Sequence, residues 1–509
     1  MPGYLFVLTY YAGKRLIALT LRFIKGGALV TEPLLIQGGM GVAVSNWRLA
    51  RAVSAEGHLG VVSGTMLDNV FVRRLQDGDL SGDIRRALAA FPDRLMAERI
   101  YHRYHIPGGK QREAPYKSIP MHTARLTRDA QELLILANFV EVFLAKEGHN
   151  GLVGINFLEK IQLLTLPSLY GAMLARVDYV LMGAGIPKQI PEILDALSIR
   201  QSVSMKLHVE QFPGGDAREA VTRFDPAEFP DLGAGRLNRP KFVAVVSSNT
   251  LAEMLAKRSK VDGFVVENHT AGGHNAPPRG GIKLDDRGEP VYTARDSVDL
   301  GKMRSLGLPF WLAGSYGNDG KLKEALEEGA VGIQVGTPFA FCEESGFSDE
   351  LKKEVLTRAI NGDLSVSTDV LASSSNYPFK IASIPGTLSE DEVYESRERV
   401  CDLGYLRTLF FKEDGTIGYR CPGEPVDNYL RKGGRLEDTE CRKCLCNGLM
   451  AAVDYPQVPK NGEVEKPLVT AGQSVNNIIR FLPPGKNSYS ARDVVKLLVG
   501  ALREPHYVF

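Results

Sequence analysis

Four short apolar runs in this chain empty into glycine-rich turns, and that repetition constrains the fold more than any other feature. They are Pro33-Leu34-Leu35-Ile36 before Gln37-Gly38-Gly39-Met40-Gly41 and Phe264-Val265-Val266 before Glu267-Asn268-His269-Thr270-Ala271-Gly272-Gly273-His274-Asn275. Pro309-Phe310-Trp311-Leu312 leads into Ala313-Gly314-Ser315-Tyr316-Gly317, and Gly332-Ile333-Gln334-Val335 leads into Gly336-Thr337. A β-branched or aliphatic strand ending in small residues is how a parallel barrel brings side chains and backbone N–H groups to its carboxyl face. Glycines there let a planar ligand lie close on the backbone, and an imidazole such as His274 at a strand end is placed to move a proton. Taken alone, Ala-Gly-Gly-His reads equally well as a surface turn. Four such turns in this order are rarely ordinary punctuation. The late pair, Gly314-Ser315 and Gly336-Thr337, also suits a phosphate, which eight-stranded barrels commonly hold with their last two loops.

Candidate strands fall at 34–36, 59–62, 152–156, 179–182, 205–209, 242–246, 263–266, 310–312 and 332–335. That is one too many for an eight-stranded barrel, so either 205–209 or 242–246 belongs to an insertion. Helical patterns lie between most of them, including Arg128–Lys146, Pro191–Leu197, Leu251–Arg258 and Lys321–Glu328. Alternating strand and helix units predict the α/β class, a (β/α)8 TIM barrel with helical cover. No Gly-x-Gly-x-x-Gly follows a strand and no repeat of solenoid length is present, which argues against a Rossmann domain or an array. Asn156 and Gly183 end the third and fourth strands, where contact with a cofactor or substrate is expected. Lys206 and His208 share one face of the extra strand and read as surface of an inserted hairpin. His269 ranks behind His274 as a proton donor.

At 509 residues the chain has room for a barrel and more. We divide it into an N-terminal extension over 1–30, a barrel over 31–345 with an insertion at about 65–127, and a C-terminal region over 346–509. The insertion is expected either to cap the cofactor or to be a peripheral excursion. The formal net charge of +1 gives no general field for nucleic acid or an acidic membrane. The basic run Tyr101-His102-Arg103-Tyr104-His105 reads as a solvated face. No run approaches the roughly 20 apolar residues of a spanning helix, and the early charges follow the apolar stretch, the wrong order for a secretory signal. A cytoplasmic location is the default expectation. The apolar pattern Val494 to Leu502 packs either on the barrel or on a second subunit of a homo-oligomer.

The turns Gln37-Gly38-Gly39-Met40-Gly41, Ala271-Gly272-Gly273-His274, Ala313-Gly314-Ser315 and Gln334-Val335-Gly336-Thr337 resemble the motif series of the nitronate monooxygenase (2-nitropropane dioxygenase) family. That family includes flavin-dependent enoyl reductases. The resemblance covers roughly Glu32 to Phe341. It implies non-covalent FMN, with Gln37, Gly38, Gly39 and Met40 beside the isoalloxazine and the late-strand residues around Gly314, Ser315, Gln334, Gly336 and Thr337 at the phosphate. It also implies that His274, presented by Ala271-Gly272-Gly273, is the active-site base or acid. The chain departs from the pattern at Asn275-Ala276-Pro277-Pro278, where another glycine is usual, and at Ser315-Tyr316, where Gly-Ile is usual. Both departures bear on the substrate rather than on the flavin.

All six cysteines lie in the last third of the chain, and four fall close together as Cys421 and then Cys441-Arg-Lys-Cys444-Leu-Cys446. A Cys-x-x-Cys turn with a third thiol nearby suits zinc or, with a fourth ligand, an iron–sulfur cluster. The spacing matches no standard pattern, so reduced packing cysteines and redox-active thiols stay beside the metal reading.

The expected function is FMN-dependent oxidation of alkyl nitronates by dioxygen, with His274 as base. The alternative is reduction of an enoyl thioester with NAD(P)H or another donor, with His274 protonating the α-carbon or polarising the carbonyl. The substrate is thus a small molecule or an acyl thioester. Outside this class stand a flavin-binding partner subunit without turnover and a flavin-free barrel acting on a phosphorylated metabolite.

Overall fold

The computed structural model describes residues 5–12, 15–22, 32–212, 218–458, 462–500 and 502. Eight parallel strands form its centre: β1 (Leu35–Gln37), β2 (Gly60–Ser63), β3 (Val153–Leu158), β4 (Tyr179–Gly183), β5 (Lys241–Val246), β6 (Gly263–Glu267), β7 (Phe310–Ala313) and β8 (Gly332–Val335). Each pairs with its neighbour in chain order, β8 pairs with β1, and a parallel bridge between Ile36 and Leu59 closes the ring. This is a (β/α)8 barrel. Alternate strand residues point in and out, as the pleat requires. Ile36, Val61, Tyr179, Leu181, Val243, Val265 and Trp311 fill the interior, while Leu35, Val62, Val180, Ala244, Val266 and Leu312 face the helices. Packing in this interior is tight at Gly154, where an added Cβ would come within 3.1 Å of Val61 and 3.2 Å of Leu181. Trp311 Nε1 donates to the Pro33 carbonyl at 2.7 Å, so its one polar atom is not stranded in the core.

The ambiguity over the ninth strand resolves in favour of 241–246. The other segment, Val203–Leu207, pairs antiparallel with Ala220–Phe224 as an inserted hairpin. Its alternating exposed and buried residues mark one solvated face, with Lys206 paired to Glu219 at 2.7 Å. The helix predicted over Arg128–Lys146 has those limits, with Thr127 capping the Ala130 N–H. Of the extension over 1–30, the backbone of a hairpin, Leu5–Ala12 with Arg15–Arg22, is described, and the remainder lies outside the described residues.

The insertion contributes three helices, Leu67–Gln76, Asp83–Ala89 and Arg94–Tyr104. Thr65 and Met66, just before the first, reach the carboxyl-face cleft. The basic run lies at the end of the third helix, where Arg103 pairs with Asp129 and Tyr101 stacks on His105. The region after 346 folds back over the barrel instead of standing apart from it. Gly346 N–H donates to Val44 O, Gly472 N–H to Thr337 Oγ1, and Phe379 forms a β-bridge with His274. The helix Ala491–Gly500 buries Val494, Val495 and Leu498 in the common core, against the barrel's first helix, Trp47–Ala55.

Candidate active site

The strand ends and the C-terminal region enclose a cleft of about 250 Å³, near the lower end of small-molecule sites at roughly 300 Å³. Of the residues singled out from the sequence, Gly38, Gly39, Met40, Asn156, Gly183, Ala271, Gly272, Gly273, His274, Gly314, Ser315, Gln334, Gly336 and Thr337 all line it. Eight strands of short pleat bring their ends to one ring, so residues separated by 299 positions in number, Gly38 and Thr337, meet. Gln37 does not line it. Its side chain is fully buried behind the turn, accepting from Val61 N–H at 3.0 Å and donating to Ser45 Oγ at 2.8 Å. Gln37 therefore shapes the turn and leaves ligand contact to Gly38–Met40.

The turn after β7 uses backbone that side chains rarely adopt. Gly314 has φ +93°, and a Cβ there would collide with Asn268 at 2.2 Å; Ser315, next to it, has φ +57°. Such strain clusters where a ligand must meet the backbone. The cradle fits FMN. A Cβ added at Gly273 would meet nothing within 4 Å, and one at Gly336 only Met40, at 3.5 Å from Sδ, so both would project into the space that the turns keep open. The lining holds no lysine or arginine among the described residues, so the phosphate would rest on the backbone of Gly314–Ser315 and Gly336–Thr337.

His274 sits deep in the cleft wall. Its Nε2 is 2.7 Å from Ser373 Oγ, which is 2.7 Å from Ser375 Oγ. Lys160 Nζ donates to the Ser375 carbonyl at 2.8 Å and lies over the Tyr377 ring. Burial, and then the nearby Lys160 ammonium, push the His274 imidazole down to about 3. Burial also brings Lys160 down to about 8, against the attraction of Glu159. The Phe379 ring meets His274 edge-on with centroids 4.9 Å apart. His274 is thus a neutral, hydrogen-bonded imidazole over the ordinary pH range.

A second ionisable group escaped the sequence reading. Glu267 ends β6 and lines the same cleft, and burial alone pushes its carboxyl up to about 7. The available signal was a charged residue closing an otherwise apolar strand. Lys160 was also not singled out, because nothing in local spacing joins it to His274, whereas Ser373 opens the loop Ser373–Lys380 that the family resemblance implies returns towards the active site. His269 lies outside the cleft lining and stacks on Tyr292 with centroids 4.1 Å apart. His208 is exposed, 3.5 Å from Glu159.

Tyr405 keys the C-terminal region to the insertion. It lines the cleft, donates to Asp68, and accepts from Asn69 at 2.6 Å, while His122 holds the other Asp68 oxygen at 2.7 Å. The cysteine grouping differs from the expected one. Cys421, Cys444 and Cys446 come together, but Cys441 is exposed and Cys401 takes its place beside them. Cys441 precedes the turn into the helix Leu445–Ala451, and its left-handed backbone, φ +55°, carries it outward. No group of three or more His, Cys, Asp or Glu side chains among the described residues already stands at metal-holding distances. No described helix is long and apolar enough to cross a membrane.

Fold, cleft and glycine cradle together define a (β/α)8 barrel with a strand-end site shaped for a flat, phosphate-bearing ligand. The resemblance seen in the motifs is to one family: the model described as nitronate monooxygenase matches residues 195–372, about a third of the chain. No curated protein matches. Among solved structures, FabK from Thermotoga maritima is similar at 15% identity over 93% of each chain, with a TM-score of 0.48. Nitroalkane oxidase from Streptomyces ansochromogenes shows 15% identity over 93% of this chain and 96% of that one, with a TM-score of 0.45. The enoyl reductase domain of MlnA from the macrolactin biosynthesis cluster of Bacillus amyloliquefaciens shows 11% identity over 92% and 94%, again at 0.45. The fold is given by the barrel's own strand order.

Proposed function

We propose that the protein reduces a neutral, electron-poor double bond, an enoyl thioester, with electrons from NAD(P)H. The observation behind this reading is the charge of the cleft. Among the described residues its lining holds no lysine or arginine and one carboxyl, Glu267, and the His274 imidazole is neutral. An anionic nitronate would touch no cation in the lining, since the Lys160 ammonium stands behind it on the Ser375 carbonyl and the Tyr377 ring, and burial enlarges the cost of that missing contact. A neutral thioester pays no such cost, and Leu406, Leu445, Leu449 and Phe347 give its acyl chain an apolar wall.

When bound, FMN supplies the electron transfer that no side chain of this chain can. With Ser373 Oγ–H donating to Nε2, His274 keeps Nδ1–H free to donate to the thioester carbonyl, which polarises the double bond. Glu267 holds its proton up to about pH 7 and is the cleft's candidate donor to the α-carbon. The C-terminal region covers the strand ends beside His274 through Ser373 and Phe379.

The family match supports a second reading, oxidation of nitronates by dioxygen with His274 as base. One experiment separates them. The FMN-loaded protein is given NADPH or NADH with a short enoyl thioester under nitrogen, and separately a nitronate under air. Nucleotide consumption that depends on the thioester is the expected result. Oxygen uptake with the nitronate and no thioester reduction would overturn the proposal.

A further inference from the structure

The cysteines are used by neither reading. Cys401, Cys421, Cys444 and Cys446 all line one small cavity of about 10 Å³, together with Leu406 and Leu445. They arrive from three separate places. Cys401 lies in the loop after the helix Asp391–Ser396, Cys421 directly follows the strand Ile417–Arg420, and Cys444 and Cys446 open the helix Leu445–Ala451. Unrelated loops rarely bring four thiols to one point by packing alone, because a buried thiol gains no more there than any small apolar side chain.

Three of the four sulfurs also receive backbone hydrogen bonds. Gly423 N–H donates to Cys421, Asn447 N–H to Cys444, and Leu406 N–H to Cys446. Aiming N–H groups at sulfur favours the thiolate, the form that ligates metals. Arg407 faces Cys401 and Cys421, and Arg397 faces Cys444.

We propose that Cys401, Cys421, Cys444 and Cys446 form a four-thiolate site for one tetrahedral zinc ion, with Cys441 outside it. Soft sulfur donors in a closed set of four select zinc. A space of about 10 Å³ holds one ion or one water and is too small for an iron–sulfur cluster. The sulfurs ring the cavity at wider separation than ligands do, so binding draws the cysteines inward. The elements around them are short, a four-residue strand pair and a seven-residue helix, and such a region gains much from a metal staple. Leu406, Leu445 and Cys446 line both this cavity and the active-site cleft, so the ion would fix the cleft's apolar wall.

Elemental analysis of the full-length protein, purified without chelator, tests this. The expected result is about one zinc per chain, with tetrahedral thiolate bands on exchange to cobalt. Cys401→Ser and Cys446→Ser should each lose the metal, and Cys441→Ser should keep it. In the unmutated protein, a mercurial reagent should release the zinc as the thiols react, a reading that needs no variant to fold. Absence of metal, iron with acid-labile sulfide, or equal loss in Cys441→Ser and Cys401→Ser would each overturn the assignment.

Discussion

The turn after β1 and the turn after β6 have similar sequences, yet they are held in opposite ways. The first is tied by its own neighbours. Ser45 Oγ donates to Gly38 O at 2.9 Å and accepts from Met40 N–H at 2.9 Å, with the Gln37 amide closing the knot. The second is tied from far along the chain. Gly273 N–H donates to Thr470 Oγ1 at 2.7 Å, Lys380 N–H to Gly273 O at 3.0 Å, and His274 meets Ser373. The cofactor-facing turn after β1 is thus built locally, while the proton-handling side chain is positioned by the C-terminal region. Binding and chemistry should therefore be separable by mutation.

The largest expected effect breaks chemistry alone. His274→Ala should lower kcat/KM by about 10²- to 10⁴-fold, the usual worth of a positioned acid–base group, with the bound flavin spectrum unchanged. Next is Gly272→Val. An added Cβ there lies 2.8 Å from the Ala471 carbonyl carbon, so the C-terminal loop must shift. We expect about 1–3 kcal/mol of overpacking and a fall in kcat that exceeds any fall in flavin affinity. Ser45→Ala attacks the other turn. It removes three hydrogen bonds at about 1 kcal/mol each, so flavin affinity should fall while kcat at saturating FMN stays near its normal value. Equal losses of kcat in Ser45→Ala and Gly272→Val would end the comparison.

The smallest effect is on stability against pH, and its two contributions have opposite signs. His274 drops from 6.5 to about 3 on folding, so between those values the unfolded chain binds more protons and stability rises with pH. Glu267 rises from 4.5 to about 7, so between those values the folded chain binds more protons and stability falls as pH rises. Denaturant melts across pH 4–7 should show Glu267→Gln removing the fall and His274→Gln removing the rise. A variant that leaves the pH curve unaltered would show that its group is not buried as described.

Much of the cleft was legible because strand-to-glycine turns are local signals. A run of β-branched residues and a following glycine report their own backbone, and the barrel places all such ends on one face. Gln37 was misassigned to cofactor contact for the same reason. Its position in the motif is local, but whether its amide turns to the ligand or to Val61 depends on the neighbouring strand. Glu267 and Lys160 were missed because their chemistry comes from burial and, for Lys160 and His274, from a partner more than a hundred residues away. Cysteine spacing misled in the same way. Cys441 is near Cys444 in sequence, yet it turns to solvent, while Cys401 reaches the cavity.

By itself the sequence determined the barrel, the number and order of its glycine turns, and the presence of a histidine at the end of β6. These follow from hydrophobic period and from the backbone freedom of glycine, which act over a few residues. Only the tertiary structure decided that His274 is neutral, that Glu267 shares its cleft, and which cysteines meet. Those outcomes depend on desolvation and on contacts between distant segments, and no window along a single chain contains either.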